Sequence, residues 1–173
     1  MRELEVRTSQ TFTGPVSTVW SLLCNSRMDG TSTLLFKLGI PQPLECRVPD
    51  GRGRVGGERE CISDQGIVHQ RILEWTPEER LRFRMETTDL SFGRYVSEIV
   101  DTFDLAKTPQ GVRVTRTTKV GTKGRFRFLK QFALYLGLKQ VHRYVFRNWR
   151  RRAEREISSS VATGRGSTVP PGF

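Results

Sequence analysis

Between Leu44 and Val120 the sequence presents one strand-like run after another, and from residue 125 to residue 157 it presents a single uninterrupted helix. The strand runs are divided by turn-forming clusters: PDGRGRVGG, SDQG, TPEE, the DLSFG region and KTPQG. No helix interrupts them. Upstream, LEVRTSQTF alternates apolar and polar residues as a strand does, and TGPVSTVWSLL follows as a short helix with Thr13 as its N-cap. The next segment, TSTLLFKLGIPQP, is a second short helix or a loop with apolar contacts. The order of elements predicts an α+β fold: a curved antiparallel sheet of six to seven strands that closes on one long C-terminal helix.

A chain of 173 residues suits one domain that buries its core without staples. We assign residues 1–157 to that domain and expect residues 158–173, SSSVATGRGSTVPPGF, to be a disordered tail. No apolar stretch approaches the roughly 18 residues of a membrane span, and the N-terminus lacks an export leader, so the cytoplasm is the expected compartment. Cys24, Cys46 and Cys61 show neither a zinc spacing nor a disulfide framework and are expected as core fillers. No metal site and no cofactor are expected.

The last hairpin exposes the faces of the sheet. If EIVDTFDL and GVRVTRTTKV turn around Thr108 and Pro109, Leu105 meets Val112, Phe103 meets Val114 and Ile99 meets Thr118 on an apolar face. Glu98, Thr102 and Asp104 share the wet face with Arg113, Thr115 and Lys119. The same register sets Asp101 opposite Arg116 on the apolar side, where an ion pair needs hydrogen bonds or a partly wet cavity to be tolerated.

The net charge of +11 is concentrated rather than spread. Residues 1–122 hold 17 basic and 16 acidic side chains, whereas residues 123–157 hold 11 basic and 2 acidic. On a helical wheel Leu138, Val141, Val145, Trp149 and Ala153 form a stripe suited to the sheet, and Lys139, Arg143, Arg147, Arg151 and Arg155 recur on the other side. Before Gly137 the helix is apolar almost all round, through Phe126, Phe128, Leu129, Phe132, Ala133, Leu134, Tyr135 and Leu136. The TSTLLFKLGI segment, a second subunit in a homodimer or a membrane surface are the candidate covers. Apolar residues beside arginines suit peripheral contact with anionic lipid. The basic stripe is long enough to track phosphates, but it carries no nucleic-acid reading motif, and a tunnel would then have no purpose, which argues against nucleic acid as the partner.

PVSTVWSLL, VGGERECISDQGIVHQRILEWTPEERLRFRM and GVRVTRTTKV, in this order of elements over residues 3–155, resemble the START-related SRPBCC superfamily and its polyketide cyclase/dehydrase group. The resemblance implies a helix-grip fold in which sheet and C-terminal helix enclose a tunnel for an apolar ligand. Members include lipid carriers, coenzyme Q-binding proteins, plant hormone receptors and aromatic cyclases, with no catalytic residue in common. An aromatic residue often stands near the position of Arg116, so a charge there alters what the tunnel prefers.

The expected tunnel lining is Phe83, Met85, Ile99, Phe103, Val114 and Thr118 from the sheet and Leu134, Leu138, Val141 and Val145 from the helix, with Asp101 and Arg116 supplying polarity. Arg116 would fork onto a polar ligand head while Asp101 orients it. The expected function is binding or carriage of a small hydrophobic molecule such as a lipid, quinone or polyketide. A cyclase/dehydrase-like enzyme using His69 or Asp101 as acid or base is the alternative. Gly51, Gly53 and Gly56 spell a G-x-G-x-x-G pattern, but a strand rather than a helix follows it, so a hairpin loop is the better account.

Overall fold

The computed structural model describes residues 3–30, 34–123 and 127–164. β1 (Leu4–Phe12) leads through α1 (Val16–Cys24), β2 (Ser26–Arg27) and α2 (Leu34–Lys37) to the meander β3 (Pro43–Arg47), β4 (Glu58–Ser63), β5 (Ile67–Thr76), β6 (Arg80–Thr88), β7 (Val96–Thr108) and β8 (Gly111–Thr122). The long helix α3 (Arg127–Gly164) ends the described chain. Every strand pair is antiparallel, in the order β1-β8-β7-β6-β5-β4-β3-β2. Among the described residues the sheet has eight strands rather than six to seven, because Ser26–Arg27 adds a short edge beside β3. Pro15 caps α1 in place of the expected Thr13, and its backbone is extended there.

The β7–β8 register differs by two residues from the expected one. Thr108 pairs with Gly111 across Pro109 and Gln110, so Leu105 faces Val114, Phe103 faces Arg116, Asp101 faces Thr118 and Ile99 faces Val120. Pro109 is pre-set for the first corner of such a turn, and Gly111 adopts a φ of 130°, which favours glycine. A slip of two keeps every side chain on its expected face. Asp101, Phe103, Val114, Arg116 and Thr118 therefore all belong to the concave side.

α3 lies across that side, and its middle is buried on more than the expected stripe. Val145, Trp149 and Ala153 are buried, and so are His142, Tyr144, Phe146 and Asn148. The segment after β2 supplies the second contact. Phe36 packs edge-on against Tyr144 with ring centroids 4.9 Å apart, Gln42 Nε2 donates to Tyr144 Oη at 2.9 Å, and the Asp29 N–H donates to Asn148 Oδ1 at 2.8 Å. The helix also continues past Ile157, where a disordered tail was expected. There the Ser158 and Ser159 hydroxyls donate back to the Glu154 and Glu156 carbonyls, which gives these polar side chains partners within the helix. Residues 165–173 of that tail lie outside the described residues.

Two cysteines are not simple core fillers. β3 and β4 set Cys46 opposite Cys61, and a disulfide joins them, while Cys24 is a buried free thiol. Burial raises the Cys24 pKa to about 11, with Arg59 pulling the other way.

Candidate functional site

A row of polar side chains crosses the concave face. The ladders set Arg59 beside Gln70, Gln70 beside Met85, Phe83 beside Asp101, and Asp101 beside Thr118. Arg116, one alternation along β8, reaches diagonally to Asp101. Its Nε donates to Oδ1 and its Nη2 to Oδ2, both at 3.0 Å, and Asp101 is 4% exposed. Such a planar fork is the strongest arrangement open to a carboxylate.

The network continues into α3 with a defined direction. Thr118 donates its hydroxyl hydrogen to Asp101, so it accepts from His142 Nε2 at 2.8 Å. His142 therefore carries its proton on Nε2, and Nδ1 accepts from Thr8 Oγ1 at 3.1 Å. Lys139 Nζ donates to the Arg7 carbonyl at 2.5 Å and lies 3.4 Å from Thr8 Oγ1. Burial drives the His142 pKa down to about 2, and the neighbouring Arg116 charge adds to the effect, so the ring is neutral. Burial by itself would raise the Asp101 pKa. The Arg116 charge and fork, with the Thr118 hydroxyl, outweigh it and hold the carboxyl below its usual range.

Arg59 was missed in the sequence. It is 3% exposed, and its acceptors are all uncharged: Gln70 Oε1 at 2.6 Å, Cys61 Sγ at 2.9 Å and the Leu23 carbonyl at 3.4 Å. Its Nε has no partner among the described residues. The guanidinium lies 4.4 Å from the centroid of the Phe83 ring. Burial lowers its pKa to about 10, with Arg116 lowering it further and Asp101 opposing, so it is charged at neutral pH. The alternation in ERECIS held the clue, since Glu58 and Glu60 on one face leave Arg59 and Cys61 on the other.

Of the expected lining, Phe83, Asp101, Phe103, Val114, Thr118 and Val145 are buried. Met85, Ile99, Arg116, Leu134, Leu138 and Val141 are half-buried. Rings fill the interval between sheet and helix: Phe103 lies 5.9 Å from Phe83 and 5.8 Å from Trp149, and Trp149 lies 5.8 Å from Phe146. A groove of about 290 Å³ opens between β1 and α3, bounded by Thr8, Gln10, Gln140, Arg143, Phe146 and Arg147.

The remaining candidates separate. His69 is exposed on the convex side, 3.7 Å from Glu60, so it does not enter the concave site as an acid or base. The glycine-rich loop joins two strands, and Gly53 is needed because a Cβ there would fall 1.9 Å from the Trp75 ring. The basic stripe is not uniform. Lys139 is half-buried against β1, Arg151 pairs with Asp29 at 2.7 Å, and Arg143, Arg147 and Arg155 are exposed. Leu129, Phe132, Tyr135 and Leu136 are exposed too, and of the proposed cover a Cβ at Gly137 would meet Ile40 at 3.8 Å. Phe126 lies outside the described residues. No group of three or more metal-ligating side chains and no helix long and apolar enough to cross a membrane occur among the described residues.

The sheet that grips a C-terminal helix recurs in known proteins. The family model described as polyketide cyclase / dehydrase and lipid transport matches residues 3–154. The chain belongs to that family. Its fold is shared by the Zhui aromatase/cyclase from Streptomyces sp. R1128, with a TM-score of 0.64, 13% identity, and coverage of 90% of this chain and 96% of the other. A START superfamily protein from Mycobacterium smegmatis gives a TM-score of 0.60 at 11% identity, covering 87% of this chain and 97% of its own. A protein from Thermus thermophilus gives 0.62 at 16%, covering 88% and 98%. At these identities the likeness concerns the helix-grip architecture. No curated protein matches the sequence.

Proposed function

We propose that this family member binds and carries a small hydrophobic molecule, of lipid, quinone or polyketide type, between the concave face and α3. One observation carries the reading: a charged, doubly hydrogen-bonded pair, Asp101 and Arg116, is built into the interior beside a largely apolar core. A core made only for stability gains nothing from such a pair over apolar residues of the same volume. A binding site gains a fixed polar anchor. The rings of Phe83, Phe103 and Trp149 must swing aside for a ligand, so an open conformer is part of the reading.

Binding is favoured over cyclase chemistry by the state of the polar groups. General acid–base work needs a side chain that exchanges a proton with the substrate. Asp101 is held by Arg116 and Thr118, and both nitrogens of His142 are engaged.

The exposed apolar start of α3 supports a second element of the reading, contact with a membrane from which the ligand is taken. Leu129, Phe132 and Leu136 recur at helical spacing, and residues 123–139 contain Lys123, Arg125, Arg127, Lys130 and Lys139 with no Asp or Glu. That composition complements an anionic lipid surface.

The test is to purify the protein natively, extract it with organic solvent and analyse the extract by mass spectrometry. A hydrophobic compound in stoichiometric amount is the expected result. An empty extract, together with no thermal shift from lipids or polyketide-like aromatics, would overturn the reading.

A further inference from the structure

We infer that the ligand is an organic anion: an apolar body with a carboxylate or comparable acidic oxygen group, held by Arg59 and Arg116 and admitted past Arg143 and Arg147. The inference rests on the binding reading above and adds the chemical class of the ligand.

The interior is short of negative charge. Among the described residues two guanidiniums, Arg59 and Arg116, face one carboxylate, Asp101, and the ring of His142 is neutral. Asp101 is already committed to Arg116 through both oxygens. Arg59 has only uncharged acceptors and one N–H without a partner among the described residues. A buried cation of this kind is unfavourable until a counter-charge arrives, because little water screens it. A neutral ligand leaves that deficit in place, whereas an acidic oxygen group removes it and satisfies the open donor.

The two guanidiniums also share a platform. Arg59 lies over Phe83 and Arg116 lies 5.2 Å from the centroid of Phe103, and those rings adjoin. A ligand whose apolar part displaces the rings brings its head group to cationic donors.

The groove carries the same sign independently. Arg143 and Arg147 border it, one helical turn apart, and no carboxylate pairs with either among the described residues. Phe146 belongs both to the groove wall and to the aromatic cluster, in contact with Phe12 and Trp149. A cationic rim over an aromatic floor draws in anions that have an apolar body.

Binding of two matched pairs tests the inference: dodecanoate against dodecanol, and 2-naphthoate against 2-naphthalenemethanol, by titration calorimetry at pH 7 on the full chain. Within the pair that binds, the acid is expected to bind at least tenfold tighter than the alcohol. Arg59→Gln should bring the acid down to the affinity of the alcohol, and Arg59→Lys should retain most of the preference. Because Arg59 is buried, Arg143→Glu with Arg147→Glu serves as a surface control that should slow association of the acid several-fold at low salt. Equal binding of acid and alcohol by the unsubstituted protein overturns the anion inference and leaves the apolar-ligand reading standing. Absence of binding by all four compounds overturns both.

Discussion

Asp101 and Arg116 are joined by a two-pronged ion pair although neither faces the other across the ladder: Asp101 stands opposite Thr118, and Arg116 opposite Phe103. The diagonal reach spans one step of the β-pleat and leaves room for Thr118 to add its hydroxyl to the same carboxylate. Side chains from β1, β7, β8 and α3 thus form one network, from Thr8 through His142, Thr118 and Asp101 to Arg116.

Removing one end of the pair strands the other. Asp101→Asn is expected to destabilise the fold by about 3–5 kcal/mol in urea unfolding, because Arg116 then keeps its charge without its counter-ion. Asp101→Leu combined with Arg116→Met should recover most of that loss. If the double substitution is as unstable as the single one, the pair has a structural role beyond charge balance.

Acid should weaken the fold in two stages. His142 has a folded pKa of about 2 against an ordinary value of 6.5, so below 6.5 the unfolded chain takes up a proton that the folded chain refuses. Stability from this group is complete above pH 6.5 and is lost as pH falls toward 2, at most about 1.4 kcal/mol per pH unit. Asp101 is also depressed, so its contribution is complete above the unfolded value of about 3.9 and is lost only below it. His142→Gln should flatten the pH dependence of urea midpoints between pH 6 and 4. An unchanged slope would count against the buried neutral ring.

Truncating Phe103 should loosen the aromatic filling. The ring is 2% exposed and touches Phe83 and Trp149, so Phe103→Ala is expected to cost about 3–5 kcal/mol. If the interval between sheet and α3 is a ligand space, the variant should also bind an apolar dye such as anilinonaphthalene sulfonate more tightly while still showing a cooperative melt.

The exposed start of α3 permits a cleaner test, since its side chains do little for the fold. Leu129→Ser with Phe132→Ser should change unfolding stability by no more than about 0.5 kcal/mol per site. Co-sedimentation with vesicles of phosphatidylglycerol and phosphatidylcholine should fall by an order of magnitude. Unchanged sedimentation would remove this surface from the membrane reading.

Periodicity determined which way side chains face, and it did so without knowledge of the partners. The two-residue repeat sent Asp101, Phe103, Val114, Arg116 and Thr118 to one side of the sheet, and the register could shift by two without moving any of them across. The helical repeat likewise buried Val145, Trp149 and Ala153 and left Arg143 and Arg147 exposed. Which side chains meet was decided only when the strands were laid side by side and α3 was laid across them. Arg59 became a neighbour of Phe83, Cys46 of Cys61, His142 of Thr8 and Thr118, and Tyr144 of Phe36 and Gln42. These contacts join residues far apart in the chain, and no local repeat encodes them. They depend on strand order, sheet curvature and the depth to which the helix sinks, which are properties of the packed whole.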